Sequence, residues 1–146
     1  MIPLERQVCS LAWARKLKKL GVGQQSAFYW CQRVDPKTQY ELELGRNIHS
    51  RLFLEQEFIA AFTCAELGEM LPQGWEFIFY HTIRGPHRID CNFIPSVNEG
   101  RFLSNWFEAD TEADARAKML CYLIENKIIT VESVNERLGA PNLNRG

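Results

Sequence analysis

Two short segments of one design bracket three β-prone runs, and that arrangement limits the fold more than any other feature of the chain. Thr63-Cys64-Ala65-Glu66 sets a hydroxyl three residues before a carboxylate, the pattern of a capping box, with Phe62 at the position of an apolar staple. Thr111-Glu112-Ala113-Asp114 repeats the spacing, and Asp110 and Glu112 add negative charge at the first turn. Carboxylates there satisfy unpaired N–H groups and complement the helix dipole, each by about 0.3–1 kcal/mol. ADTEADARAKMLCYLIENK, residues 109–127, therefore reads as a capped helix. Ala113, Ala117, Leu120 and Ile124 form one stripe, widened by Cys121 and Leu123, and the small residues let the helix approach a sheet closely. Asn126 suits a left-handed cap. An acid pair that moves protons needs partners converging from elsewhere. The sequence identifies none, so no catalytic residue is assigned.

Between the two helices lie WEFIFYHTI, RIDCNFI and RFLSNWFEA. Trp75, Phe77 and Phe79 alternate with Glu76, Ile78 and Tyr80. Ile89, Cys91 and Phe93 share a face, and Phe102, Ser104 and Trp106 oppose Leu103, Asn105 and Phe107. Arg84-Gly85-Pro86-His87 and Pro95 to Gly100 supply the turns. The first helix takes Ala65, Leu67, Met70 and Leu71 as its apolar face and stops at Pro72. The order from Thr63 to Asn126 is α-β-β-β-α, which predicts an α+β two-layer sandwich: an antiparallel meander with both helices on one face.

An N-terminal helix and a β-hairpin precede this unit. In SLAWARKLKKLG, Ser10 is positioned as N-cap, Trp13, Leu17 and Leu20 make an apolar stripe, and Gly21 fits a left-handed C′ position with Val22 as its apolar partner. Residues 26–34 are aromatic and β-prone. Asp35-Pro36-Lys37-Thr38 is turn chemistry, and Tyr40, Leu42 and Leu44 alternate with Gln39, Glu41 and Glu43. Residues 47–60 carry no clean period and are expected to be an irregular or extended link. A short helix at about 131–138 closes on Gly139, and the tail APNLNRG is expected to fray. The chain of 146 residues thus fits one domain, with residues 1–60 holding helix and hairpin, 61–128 the α-β-β-β-α unit, and 129–146 the last helix and tail.

Charge and cysteine usage exclude several classes. The net charge is −1, so no overall field recruits nucleic acid or a membrane surface. Arg6, Arg15, Lys16, Lys18 and Lys19 stand against Glu5 in residues 1–20, a local net of +4, while Glu108, Asp110, Glu112 and Asp114 gather the acids. Five well-separated cysteines without a C-x-x-C predict reduced thiols in a cytoplasm rather than a disulfide framework. Nothing in the sequence resembles a signal peptide or a membrane span. His81, His87 and Cys91 lack the paired spacing of zinc ligands, and the Gly21-Val22-Gly23 pair follows a helix rather than a strand, so neither metal nor phosphate cofactor is expected. The α-β-β-β-α order is also that of double-stranded RNA-binding domains, which hold phosphates at the start of the last helix. Here Glu112 and Asp114 occupy that start and would repel them.

The blocks VCSLAWARKLKKLGVGQQSAFYW, FTCAELGEMLP and ADTEADARAKMLCYLIEN together resemble a group of small uncharacterised proteins carried by bacteriophages and prophages. In layout the unit is similar to the phage ABA-sandwich domain. The group has no assigned activity, so the resemblance transfers no functional residue. It implies a phage-derived protein in a bacterial cytoplasm. The expectation is a non-enzymatic interaction module whose partner is a phage or host protein or a second copy of itself, contacted through Phe28, Tyr29, Trp30, Trp106 and Phe107, since aromatics anchor interfaces. The alternative is a weak nucleic-acid binder that uses Arg15, Lys16, Lys18 and Lys19.

Overall fold

The computed structural model describes residues 2–34, 39–45, 53–72, 76–80, 87–93 and 103–139; of these, 53–57, 76–80, 87–88, 90–93 and 103–105 are described by their backbone alone. A single 3-10 turn, Leu4–Arg6, leads into α1 (Leu11–Lys19), β1 (Phe28–Arg33), β2 (Tyr40–Leu44), β3 (Phe53–Ala60), α2 (Cys64–Met70), β4 (Glu76–Tyr80), β5 (His87–Phe93), β6 (Leu103–Ala109), α3 (Glu112–Glu125) and α4 (Val131–Leu138). The class is α+β, with the α-β-β-β-α order intact from α2 to α3. Several expectations lie outside the described residues: the turns at 35–38 and 84–86, the connection 95–100, Trp75, His81, Phe102 and the tail 140–146.

The described strands form two separate antiparallel sheets, ordered β2-β1-β3 and β4-β5-β6. The N-terminal hairpin therefore does not extend the meander. It gains its own third strand instead, because residues 53–60, expected as a link, form β3. That segment shows no clean alternation because its last residues are buried on both sides: Ile59 and Ala60 are adjacent and both lie in the core. A register shift between Cys31 and Arg33 further breaks the β1–β3 ladder, blurring the period-2 pattern.

α3 is the helix that joins the parts. It packs on β5 and β6 on one side and on α1 and α2 on the other. Ala113, Ala115, Ala117, Met119, Leu120, Cys121 and Leu123 are all buried, so more than one stripe is covered. α2 packs on α3 and α4, so α3 mediates the contact with the second sheet. At the α2–α3 crossing, a Cβ at Gly68 would sit on the Arg116 guanidinium, which threads past that glycine to donate to the Cys64 carbonyl at 2.9 Å.

The helix ends show how local chemistry was used. Thr63 Oγ1 accepts from the Glu66 N–H at 3.1 Å, and Glu66 accepts in return from the Thr63 N–H at 2.9 Å, completing the capping box. Glu66 also accepts from Ser26 Oγ at 2.8 Å and from the Ala27 N–H at 3.2 Å, so the cap ties α2 to the start of β1. Thr111 Oγ1 caps α3 by accepting from the Asp114 N–H at 3.1 Å. At α1, Ser10 holds the N-cap position but its side chain caps nothing; its backbone N–H donates instead to Asp114 Oδ1 at 2.7 Å. The end of α1 has both bonds of a Schellman motif, Val22 N–H to Leu17 C=O and Gly21 N–H to Lys18 C=O, with Gly21 at φ +97°. α4 ends on Gly139 in the left-handed region, as expected.

α3 ends differently from expectation. Asn126 is not left-handed, with φ −90°; the left-handed residue is the next one, Lys127, at φ 56°. Ile128 N–H donates to Leu123 C=O and Lys127 N–H to Ile124 C=O, so the Schellman geometry is present with a lysine where glycine is cheapest. Asn126 donates through both its side chain, at 2.9 Å, and its backbone N–H, at 3.0 Å, to the Tyr122 carbonyl, which keeps it inside the last turn.

Two predictions follow from these ends. Lys127→Gly should stabilise the fold by about 0.5–1 kcal/mol, read as a shifted urea midpoint, because it removes the left-handed penalty of a side chain; a destabilised variant would contradict the C′ assignment. Thr63→Ala should cost about 1 kcal/mol, whereas Glu66→Ala should cost roughly 2–3 kcal/mol because the Thr63 and Ala27 N–H groups then lose their acceptor and Ser26 Oγ is left with the Ala61 carbonyl alone. Equal losses in the two variants would show that the bonds to Ser26 and Ala27 contribute nothing.

Candidate functional site

The N-terminal segment crosses the starts of α2 and α3 and leaves a groove between them. Val8 pairs with Thr63 in an isolated antiparallel bridge, the Cys9 N–H donates to Phe62 C=O at 2.9 Å, and the Cys64 N–H donates to Gln7 C=O at 3.3 Å. These bonds lay residues 7–9 alongside residues 62–64. What precedes them, Ile2 to Arg6, then stands as a wall opposite Phe28 and Ala65. The groove has a volume of about 760 Å³, within the roughly 300–1,000 Å³ span of binding pockets.

Its apolar lining is Ile2, Leu4, Phe28 and Ala65. Ile2 is 64% exposed. Ala65, expected on the core face of α2, is exposed and turns into the groove instead, because Leu67, Met70 and Leu71 already fill the face toward the core.

The polar lining is mostly committed to the fold. Arg6 Nη2 donates to the Asp110 carbonyl at 3.0 Å, and Glu112 pairs with Arg116 at 3.0 Å one turn along α3. Thr63 and Thr111 each accept from their own helix, and a threonine hydroxyl that accepts still has a proton to donate. The groove thus offers two hydroxyl donors above an apolar floor.

Cys64 also lines the groove, and its thiol is pushed up by burial and then by the nearby Glu112 and Asp114 carboxylates. Burial raises the other described thiols further: Cys9 and Cys121 to about 12, Cys31 to about 11 with help from Glu43 and Glu41. All four are free cysteines and stay protonated at neutral pH, where only a thiolate is an effective nucleophile or metal ligand. Among the described residues no group of three or more His, Cys, Asp or Glu is placed to hold a metal ion. Of the residues weighed for metal, His81 lies outside the described residues, and His87 and Cys91 are placed by register alone, opposite Ala109 and Asn105 of β6.

The expected interface aromatics divide. Trp30 packs on the core and donates its indole N–H to Cys9 C=O at 3.0 Å; Tyr29 packs there too and donates its hydroxyl to Gln24 C=O at 2.8 Å. Phe107 lies against Tyr122 with ring centroids 5.3 Å apart. These three build structure. Phe28 lines the groove, and Trp106 is 50% exposed in the cross-strand row Ile78–Asp90–Trp106, next to the row that contains the buried Ile89.

The basic face of α1 is also largely engaged. The Arg15 guanidinium lies 4.8 Å from the Tyr40 ring centroid, and Lys16 pairs with Glu125 at 2.7 Å, a hydrogen bond that raises its pKa. Lys18 donates to Phe58 C=O at 2.9 Å. Lys19 is exposed at the end of the helix.

Sequence reasoning missed the groove because no single segment carries it. Its walls come from residues 2–7, 28, 63–65 and 111–112, which only the Val8–Thr63 bridge and the α2–α3 packing assemble. The one available signal was Ile2-Pro3-Leu4, an apolar run ahead of the first helix with no periodic partner. Comparison with protein-family models, with curated proteins and with solved structures finds no match for this chain. No helix among the described residues is long and apolar enough to cross a membrane.

The thiol environments predict site-resolved reactivity. Iodoacetamide at pH 8 should modify Cys64 before Cys9, Cys31 and Cys121 in the folded protein, as read by peptide mapping; prompt modification of Cys9 would contradict its burial. The folded pKa values of Cys9, Cys31 and Cys121 lie above the ordinary 9.0, so their contribution is intact below pH 9 and is lost as pH climbs toward 11–12. Stability should fall across that window, with each thiol adding a slope of about 1.4 kcal/mol per pH unit. A flat urea midpoint between pH 9 and 11 would contradict it.

Proposed function

We propose that this chain is a non-enzymatic protein-interaction module of phage origin, and that it grips an extended segment of a phage or host protein in the groove between its N-terminal segment and the starts of α2 and α3. The observation that carries this reading is the groove's composition: an open apolar floor of Ile2, Leu4 and Phe28 beside two threonine hydroxyls. An apolar side chain of the partner covers Ile2 and Phe28, and its main-chain carbonyls accept from Thr63 and Thr111. Trp106 offers a second, separate contact on the outer side of the β4-β5-β6 sheet.

An extended peptide is favoured over a small polar ligand because Arg6 and Glu112 already spend hydrogen bonds on Asp110 and Arg116. It is favoured over nucleic acid because Arg15, Lys16 and Lys18 are engaged within the chain and α3 begins with Glu112 and Asp114. The phage assignment rests on the sequence blocks around α1, α2 and α3.

The test is affinity capture from phage-infected and uninfected bacterial lysate with three baits: the wild-type chain, Ala65→Arg, which fills the groove, and Trp106→Ser. Ala65 is exposed, so the substitution should leave the urea midpoint within about 0.5 kcal/mol of wild type. A partner held by wild type and lost with Ala65→Arg supports the groove. Identical capture by wild type and Ala65→Arg rules the groove out, and loss with Trp106→Ser alone moves the contact to the sheet. Retention of DNA or RNA that weakens steeply with salt supports the nucleic-acid alternative instead.

A further inference from the structure

We propose that side chains from α1, from the segment after it and from α3 obstruct the outer edges of β3 and β6, and that this obstruction keeps a second copy of the chain from adding a strand at these two edges. The hydrogen-bond phase of β3 shows which groups face outward. The Ala61 N–H donates to Phe28 C=O at 2.9 Å, toward β1. Backbone groups alternate in direction along an antiparallel strand, so Phe58 and Ala60 direct theirs away from β1, where a further strand would bind. At each of these two positions one outward group is taken. The Ala60 N–H donates to Gln24 Oε1 at 2.8 Å, and Phe58 C=O accepts from Lys18 Nζ at 2.9 Å.

A lysine also reaches the backbone of an end strand of the second sheet. β6 pairs only with β5 among the described residues, and Lys118 Nζ donates to the Glu108 carbonyl on it. The ammonium also lies 5.8 Å from the Trp13 ring centroid, which helps to fix its position. An unpaired edge is a template for another chain, and a lysine placed on it is a known obstacle to pairing, since an incoming strand must displace a charged donor into a space without its acceptor. Lys18 and Lys118 come from different helices and end on different sheets, so the two closures arise independently. This inference is separate from the groove and survives if the groove binds nothing.

The test compares the wild-type chain with Lys18→Met/Lys118→Met, which keeps the stems and removes the donors, and with Lys18→Arg/Lys118→Arg, which keeps them. Light scattering across a concentration series should show the folded Met variant rising to about twice the wild-type mass or more, while the Arg variant stays with wild type. A Met variant with native circular dichroism and wild-type mass throughout overturns the proposal. A second readout does not depend on that variant's folding. In the wild-type chain, hydrogen exchange at the Ala60 amide should be protected to the level of Ala61, and in Gln24→Ala it should quicken by about tenfold or more. Exchange at Ala60 in wild type as fast as in an exposed turn overturns the closure of β3.

Discussion

Burial of α3 on opposite sides is the constraint on which the other elements depend. Ala113, Ala115 and Ala117 are fully buried in its first half, and Met119, Leu120 and Leu123 in its second. Alanines at the start bring neighbouring backbones close, and the larger residues beyond fill the wider space. A helix covered by a sheet on one side and by α1 and α2 on the other needs both neighbours in place. The two sheets therefore share one core although no hydrogen-bond ladder joins them among the described residues. Ile59 and Ala60 of β3, Ile89 of β5 and Val134 of α4 belong to the same buried cluster. Each fully buried aliphatic side chain in it contributes roughly 1.5–3 kcal/mol, so this cluster outweighs any single surface ion pair, such as Lys16–Glu125, worth about 0–1 kcal/mol.

Polar groups then set where the buried helices begin. Glu66 and Asp114 each complete a cap and also reach another element, Ser26 and Ala27 in one case and Ser10 in the other. Asn135 does comparable work from α4: its side chain accepts from the Gly23 N–H at 2.7 Å and donates to Gly21 C=O at 3.2 Å, holding the turn after α1. Arg137 donates twice to Met70 C=O, at 3.1 and 2.8 Å, closing the end of α2, and burial lowers its pKa. These bonds link chain segments more than fifty residues apart in several cases. They orient the N-terminal segment across the two helix starts, and the groove is a consequence of that orientation.

Chemistry and position point the same way at the groove. Glu66 completes the cap of α2, Glu112 pairs with Arg116 and Asp114 accepts from the Ser10 N–H, and the nearby Cys64 thiol is held neutral. What remains accessible is apolar surface with hydroxyl donors.

The sequence by itself determined the helices and most of their ends, though not the left-handed residue after α3, which is Lys127 rather than Asn126. The capping box at Thr63 and Glu66, the threonine cap of α3, the Schellman turn at Gly21 and the stop at Gly139 all depend on residues within a few positions, so local chemistry was sufficient to read them. The alternation in 40–44 and 103–109 was legible for the same reason. Only the tertiary structure decided that residues 53–60 form a strand, that the hairpin and the meander stay apart, and that Ser10 gives its N–H to Asp114 rather than capping with its hydroxyl. Each of these turns on a partner far away in the chain: Phe28 to Arg33 for β3, α3 between the sheets, and a carboxylate 104 residues from Ser10. The groove belongs to this second group, because a concave surface is built from the spacing of distant segments, and a sequence read in order records none of those distances.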